Sequence, residues 1–202
     1  LDAGTGLTKA GYAFGGWATS ASATTGAFIG TPSTSLTYYA VWTPISYTVT
    51  YAAGTNGTGT VPTESGKTLG TSFVLASGSS LTPPASSGAV TYSFAYWNDG
   101  TSNLAAGSSY LMAASNVTFT AQWIAIFNVT YNANGGTTDI SNEQKTDGAA
   151  LTIGAAAART GYTFNKWVDQ SGGQWDPGAS TTVTTTRYIF TASWTAIPRS
   201  VT

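Results

Sequence analysis

The chain contains no histidine and no cysteine. Nucleophile systems that need an imidazole base or a thiolate therefore cannot be assembled from it. The acids left for chemistry are Asp2, Glu64, Asp99, Asp139, Glu143, Asp147, Asp169 and Asp176. Two carboxylates suffice for glycoside hydrolysis, and spacing alone does not decide whether two of these pair. Asp139 with Asp147, or Asp169 with Asp176, could offer oxygens to Ca²⁺, but neither has EF-hand or nonapeptide spacing. No acid recurs along the chain as a pair in a repeated active site would. The expectation is that the protein is not an enzyme, holds no metal and needs no cofactor, and that these acids are polar turn residues in water. The remaining chemistry is stacking. Trp175, with Asp169, Gln170, Gln174 and Asp176 around it, offers a flat apolar face and hydrogen-bonding groups to a sugar. The alternative role for Trp175 is a local loop anchor.

The elements that must position these residues announce themselves by repetition. Tyr12-Ala13-Phe14-Gly15-Gly16-Trp17, Tyr92-Ser93-Phe94-Ala95-Tyr96-Trp97 and Tyr162-Thr163-Phe164-Asn165-Lys166-Trp167 all read Tyr-x-Phe-x-x-Trp. A second Trp follows each, at Trp42, Trp123 and Trp194, after 25, 26 and 27 residues. Leu1, Leu81 and Leu151 each stand 11 residues before the Tyr, which aligns the three copies. In that register the places equivalent to Trp175 hold Thr25 and Ala105. The predicted organisation is 1–43, a partial first repeat lacking its opening strand; 44–123, a second repeat; 124–195, a third; and 196–202, the start of a fourth repeat's opening strand. The second repeat carries about ten extra residues before Leu81, among them Phe73-Val74-Leu75, read as an added strand or longer loop.

Alternation marks the strands. Tyr47-Thr48-Val49-Thr50-Tyr51 and Phe127-Asn128-Val129-Thr130-Tyr131 open the second and third copies. Leu36, Tyr38, Ala40 and Trp42 share a predicted face of the strand closing the first copy. Val117 to Trp123 and Tyr188 to Trp194 close the other two. Asn132 to Gly136 and Asn98-Asp99-Gly100 read as turns. Ala149 to Ala158 is Ala-rich and predicts a short helix. Trp167 has the opposite strand parity to Tyr162 and Phe164, which calls for a bulge or for a Trp on the other face. The structural core is then Tyr12, Phe14, Trp17, Trp42, Tyr92, Phe94, Trp97, Trp123, Tyr162, Phe164, Trp167 and Trp194.

Composition agrees with a packed, mainly β chain: 13% aromatic and 42% hydrophobic, but only 7% charged, over 202 residues. The net charge of −1 and scattered basic residues cannot neutralise a row of phosphates, which excludes nucleic acid as a partner. No apolar run reaches the length that inserts into a membrane, and Leu1 opens no leader pattern. Asn56, Asn116 and Asn128 stand in Asn-x-Thr triplets, a pattern common by chance in a Thr-rich chain.

Val129 to Gly136, Arg159 to Trp167 and Phe190 to Trp194 resemble the Listeria–Bacteroides repeat, the B-repeat of internalins and other bacterial surface proteins. The first copy resembles it over Gly11 to Trp42. The second departs, with Val90-Thr91 before Tyr92 in place of the usual Thr-Gly. The resemblance implies small α+β, β-grasp-like modules, here predicted end to end as a rod, and an extracellular, cell-surface setting. It carries no catalytic residues. The expected function is a stalk or spacer segment, its partners being neighbouring repeats of the same chain. The alternatives are an adhesin repeat contacting host or matrix glycans or proteins, and a filament subunit in which the tail of one chain supplies a strand to the next.

Overall fold

The computed structural model describes residues 4–27 and 35–199. Leu1, Asp2 and the predicted strand residues 200–202 lie outside them. The described residues are all β, with no helix. Backbone contacts divide the chain into two units, Leu1–Thr82 with Tyr96–Gln122, and Pro83–Ala95 with Trp123–Thr202.

In the second unit the opening strand runs in the later part of Val117–Asn132. It pairs in parallel with Ile189–Ala196, Tyr131 opposite Phe190, and antiparallel with Glu143–Thr146, Phe127 opposite Lys145. Ile189–Ala196 pairs antiparallel with Tyr162–Val168, which continues to Gln174–Trp175. Ala150–Thr152 pairs with Ser180–Thr182. Alternation places Phe127, Val129, Leu151, Ile153, Trp167, Val183 and Phe190 in one buried cluster. Burying each of these side chains contributes about 1.5–3 kcal/mol.

The first unit uses the same parts. Val49–Ala52 pairs in parallel with the start of Val117–Asn132, Tyr51 opposite Phe119. Ser46–Tyr47 pairs with Lys67–Thr68, Tyr47 opposite Lys67. Ser72–Val74 pairs with Ser109–Leu111, and Trp97 lies opposite Leu104. Val49, Tyr51, Leu75, Trp97, Met112 and Phe119 are buried. The first copy adds the antiparallel pair Tyr12–Ala18 and Tyr39–Pro44.

Three sequence expectations are corrected. The helix over Ala149 to Ala158 is absent. Leu151 and Ile153 alternate into the core, and Ala158 exchanges backbone bonds with Thr137 at 2.8 and 2.9 Å. A ten-residue Ala-rich stretch is too short to hold a helix by propensity alone, so strand packing decides its form. Leu36 does not share a buried face with Tyr38, Ala40 and Trp42. It lies before the strand and is 56% exposed, while Val41 is the buried residue.

The third correction concerns register. In the third copy Ile153 N donates to Ala179 O and Gly178 N to Ile153 O, both at 2.8 Å. In the second copy Leu75 N donates to Ser108 O and Gly107 N to Leu75 O, both at 2.9 Å. Gly148 and Gly70 close the two ladders alike, bonding Val183 O and Met112 O at 2.9 Å. Phe73, not Leu81, is therefore the counterpart of Leu151. Phe73-Val74-Leu75 is the core strand itself and not an addition. The extra chain falls after it: Leu75 precedes Tyr92 by 17 residues, Ile153 precedes Tyr162 by nine. That insertion carries Leu81–Thr82, which pairs with Thr58–Gly59.

The parity question resolves as a bulge. Phe14 lies opposite Trp42 and Trp17 opposite Ala40, and likewise Phe164 opposite Trp194 and Trp167 opposite Ala192. One extra residue on the Tyr strand turns its first Trp onto the face of Tyr and Phe. In the first copy the bulge falls at Gly15-Gly16, where an added Cβ on Gly16 would meet the Ala27 backbone at 2.9 Å.

Candidate functional site

The loop between Trp167 and Trp175 brings together the residues singled out for ligand contact. Asp169 begins it and is 5% exposed. Its Oδ1 accepts from Ser171 N at 2.9 Å, Ser171 Oγ at 2.7 Å and Gly173 N at 2.8 Å. Its Oδ2 accepts from Trp175 Nε1 at 2.9 Å and pairs with Arg187 Nε at 3.2 Å. Gly173 makes room for this: an added Cβ there would fall 2.6 Å from Oδ2. Burial acts to raise the pKa of Asp169. The bonds from Ser171, Trp175, Gly173 and Arg187 outweigh it and hold the carboxyl down to about 2. Hydrogen bonds to the charged form favour that form.

The Arg187 guanidinium also lies 4.9 Å from the Trp175 ring centroid, an attraction of cation to ring face. Trp175 is half-buried and packs on the core cluster. Gln170 Oε1 accepts from Tyr188 N at 3.0 Å and Ile189 N at 2.8 Å. Gln174 is exposed in the strand opposite Val168. Asp176 is exposed and pairs with Lys166 at 2.6 Å. Asp169 and Trp175 are thus joined directly, while Gln174 and Asp176 face elsewhere. The arrangement turns the carboxylate inward, onto donors of its own chain.

Trp175 does have counterparts. Leu104 lies opposite Trp97 as Trp175 lies opposite Trp167, and Ala27 bridges Trp17. Asp99 likewise is the second copy's counterpart of Asp169. Its Oδ1 accepts from Thr101 N at 2.9 Å, Thr101 Oγ1 at 2.8 Å and Ser102 N at 2.7 Å. Burial pushes the Asp99 pKa up, but these bonds lower it overall. The signal was available: Asp99-Gly100-Thr101 and Asp169-Gln170-Ser171 both begin two residues after a Trp, the pattern of a carboxylate closing a turn on its own backbone.

The predicted core aromatics are placed unevenly. Trp97 and Trp167 are fully buried. Tyr12, Phe14, Trp17, Trp42, Tyr92, Phe94, Trp123, Phe164 and Trp194 are half-buried, and Tyr162 is 37% exposed. Edge contacts link Phe14 to Trp17 and Trp42, Phe94 to Trp123, and Phe164 to Trp167 and Trp194, at 5.3–6.1 Å.

An open cleft lies beside this group, lined by Gly135, Gly136, Arg159, Tyr162, Phe164 and Trp194. Asn134 and Gly135 take positive φ, 49° and 83°, and form the predicted turn. Arg159 Nη1 donates to Asn134 O at 3.1 Å, and its guanidinium sits 3.9 Å from the Tyr162 ring centroid. Trp194 Nε1 donates to Ala133 O at 3.1 Å.

The residues named around this cleft, Trp194 apart, and the bulged strand beside it lie within a match to a known repeat. Residues 2–41 and 127–191 match the model of the Listeria-Bacteroides repeat domain. A search of the curated proteins and of the solved structures found no match. With over half of its residues in the two matched segments, the chain belongs to the Listeria-Bacteroides repeat family.

Proposed function

We propose that this chain is a non-enzymatic spacer of a bacterial surface or secreted protein, built of tandem β-grasp-like repeats whose partners are one another. The family supports the surface setting, because repeats of this kind occur in bacterial surface proteins. The observation that carries the spacer reading is Asp169. This buried carboxylate beside an accessible Trp is satisfied entirely by Ser171, Gly173, Trp175 and Arg187 of its own chain. A group so engaged orders a loop and has little left to offer a ligand. The parallel pairing of opening with closing strand in two copies supports the β-grasp-like reading.

The test is equilibrium binding of the full chain to glycan and matrix-protein panels. The expected result is no saturable binding. Saturable binding abolished by Trp175→Ala, in a variant that still folds, would overturn the spacer reading in favour of an adhesin. One observation favours that second reading: the Arg159–Tyr162–Trp194 cleft combines a guanidinium that makes no ion pair among the described residues with two partly open rings. Binding lost in Arg159→Ala and kept in Trp175→Ala would place an adhesive site there.

A further inference from the structure

We propose that the face formed by Gly161, Tyr162 and Ile197 is a docking surface for another repeat of the same kind. The first copy shows what such a face looks like when covered. Tyr12 N donates to Lys9 O at 3.0 Å and Ile45 N to Gly11 O at 2.9 Å. Lys9 Nζ sits 4.0 Å from the Tyr12 ring centroid. Gly11 has φ +76°, and an added Cβ there would lie 2.6 Å from Leu69 Cβ and 2.7 Å from Cδ2. Leu69 stands in the turn after Lys67–Thr68, the strand that pairs with the second copy's opening segment. The second copy thus lays an apolar side chain on the turn of the first.

The third copy reproduces the face without the cover. Tyr162 N donates to Arg159 O at 3.1 Å and Ile197 N to Gly161 O at 2.9 Å. A cation again caps the ring, and Tyr162 lies opposite Ala196 as Tyr12 lies opposite Pro44. Gly161 has φ +78°, yet an added Cβ would meet nothing within 4 Å. Ile197 is 53% exposed where Ile45 is 37% exposed, and Tyr162 is exposed where Tyr12 is half-buried. The occupant that fits is a repeat presenting an apolar residue at the Leu69 position, because that is what covers the matching backbone in the first unit. Close approach to a glycine Cα excludes any side chain there. This inference rests on the spacer reading, in which repeats contact repeats.

The experiment extends the full chain after Thr202 with a duplicate of residues 51–123. The duplicate Leu69 then follows Ile197 at the spacing by which Leu69 follows Ile45. Hydroxyl-radical footprinting reads the exposure of Tyr162 and Ile197. Labelling of both falls several-fold on extension and returns when Leu69→Asp is made in the added segment only. Unchanged labelling in the extended chain overturns the proposal. So does protection that survives Leu69→Asp, or a duplicate that stays unfolded behind the third copy. Concentration-dependent protection in the unextended chain also overturns it, by making a second whole chain the occupant. Ligand binding would sink the spacer reading without altering these footprints, so the two failures are distinguishable.

Discussion

In the third copy Trp167 sends its indole N–H to Ala155 O at 3.1 Å, and Tyr131 accepts from Gly154 N at 3.0 Å. In the second copy Trp97 and Tyr51 both reach Ala76, at 2.8 Å to its O and 3.2 Å from its N. The ring pairs Tyr131–Trp167 and Tyr51–Trp97 stand at 5.0 and 4.8 Å. The core device is therefore the same: a buried Trp and a Tyr packed on it, Tyr51 buried and Tyr131 half-buried, pin the loop that leaves the central core strand. Beyond that loop the two copies diverge. The third returns to its Tyr strand directly, whereas the second inserts the segment around Leu81. The second also lacks the cation before its Tyr, with Ala89 where Lys9 and Arg159 stand. Its outer face carries Val74 and Leu111, 64% and 65% exposed, where the third has Thr152 and Thr182. The family match covers the first and third copies and passes over the second. The comparison teaches that the buried pins define the repeat and that its surface and loop lengths are free to change.

If the pins are equivalent, their loss should be equally severe. Trp97→Ala and Trp167→Ala should each cost about 3–5 kcal/mol in urea unfolding. A small effect from either one would break the equivalence.

The Asp loops separate the copies. Asp169→Asn should cost about 2–4 kcal/mol, because it strands Arg187 and weakens the bonds from four other donor groups. Asp99→Asn should cost less, since its turn is less buried and no ion pair is lost. The carboxyl of Asp169 titrates at about 2 in the folded chain against roughly 3.9 unfolded. The folded state then binds fewer protons between these values. The stabilisation, about 2–3 kcal/mol, is fully present above pH ~4 and lost as pH falls toward ~2. Unfolding midpoints measured across that range should fall in the wild type and fall less in Asp169→Asn.

Tyr51→Phe and Tyr131→Phe each remove one hydroxyl acceptor and should cost about 1 kcal/mol. Burial pushes both phenol pKa values up, so spectrophotometric titration should lose a late-titrating component in each Phe variant. Last, the double variant Val74→Thr with Leu111→Thr should change stability by no more than about 0.5 kcal/mol. A larger loss would show that this outer face is covered.

Much was legible from residue types and spacing. The Tyr-x-Phe-x-x-Trp recurrence located the bulged strand, Asn134-Gly135 located the turn after the third copy's opening strand, and the alternations in Tyr47–Tyr51 and Val117–Trp123 located strands whose Val49, Tyr51, Phe119 and Ala121 are buried. These are local signals, because side-chain alternation and positive-φ turns depend on neighbours along the chain. The absence of His and Cys likewise bounded the chemistry before any fold was known.

Only the tertiary structure decided which segment fills the place beside Tyr51 and Trp97. Counting back from Tyr92 selected Leu81, but the ladder to Ser109–Leu111 selects Phe73, since an insertion shifts every count and leaves hydrogen-bond partners intact. For the same reason constant offsets missed Leu104 and Ala27 as the counterparts of Trp175. Propensity favoured a helix at Ala149, and the strand Ser180–Thr182 overruled it. Asp169 could be read as a surface acid until Arg187, 18 residues away, came to lie beside it. Long-range pairing and burial are properties of the folded chain, and no window of sequence contains them.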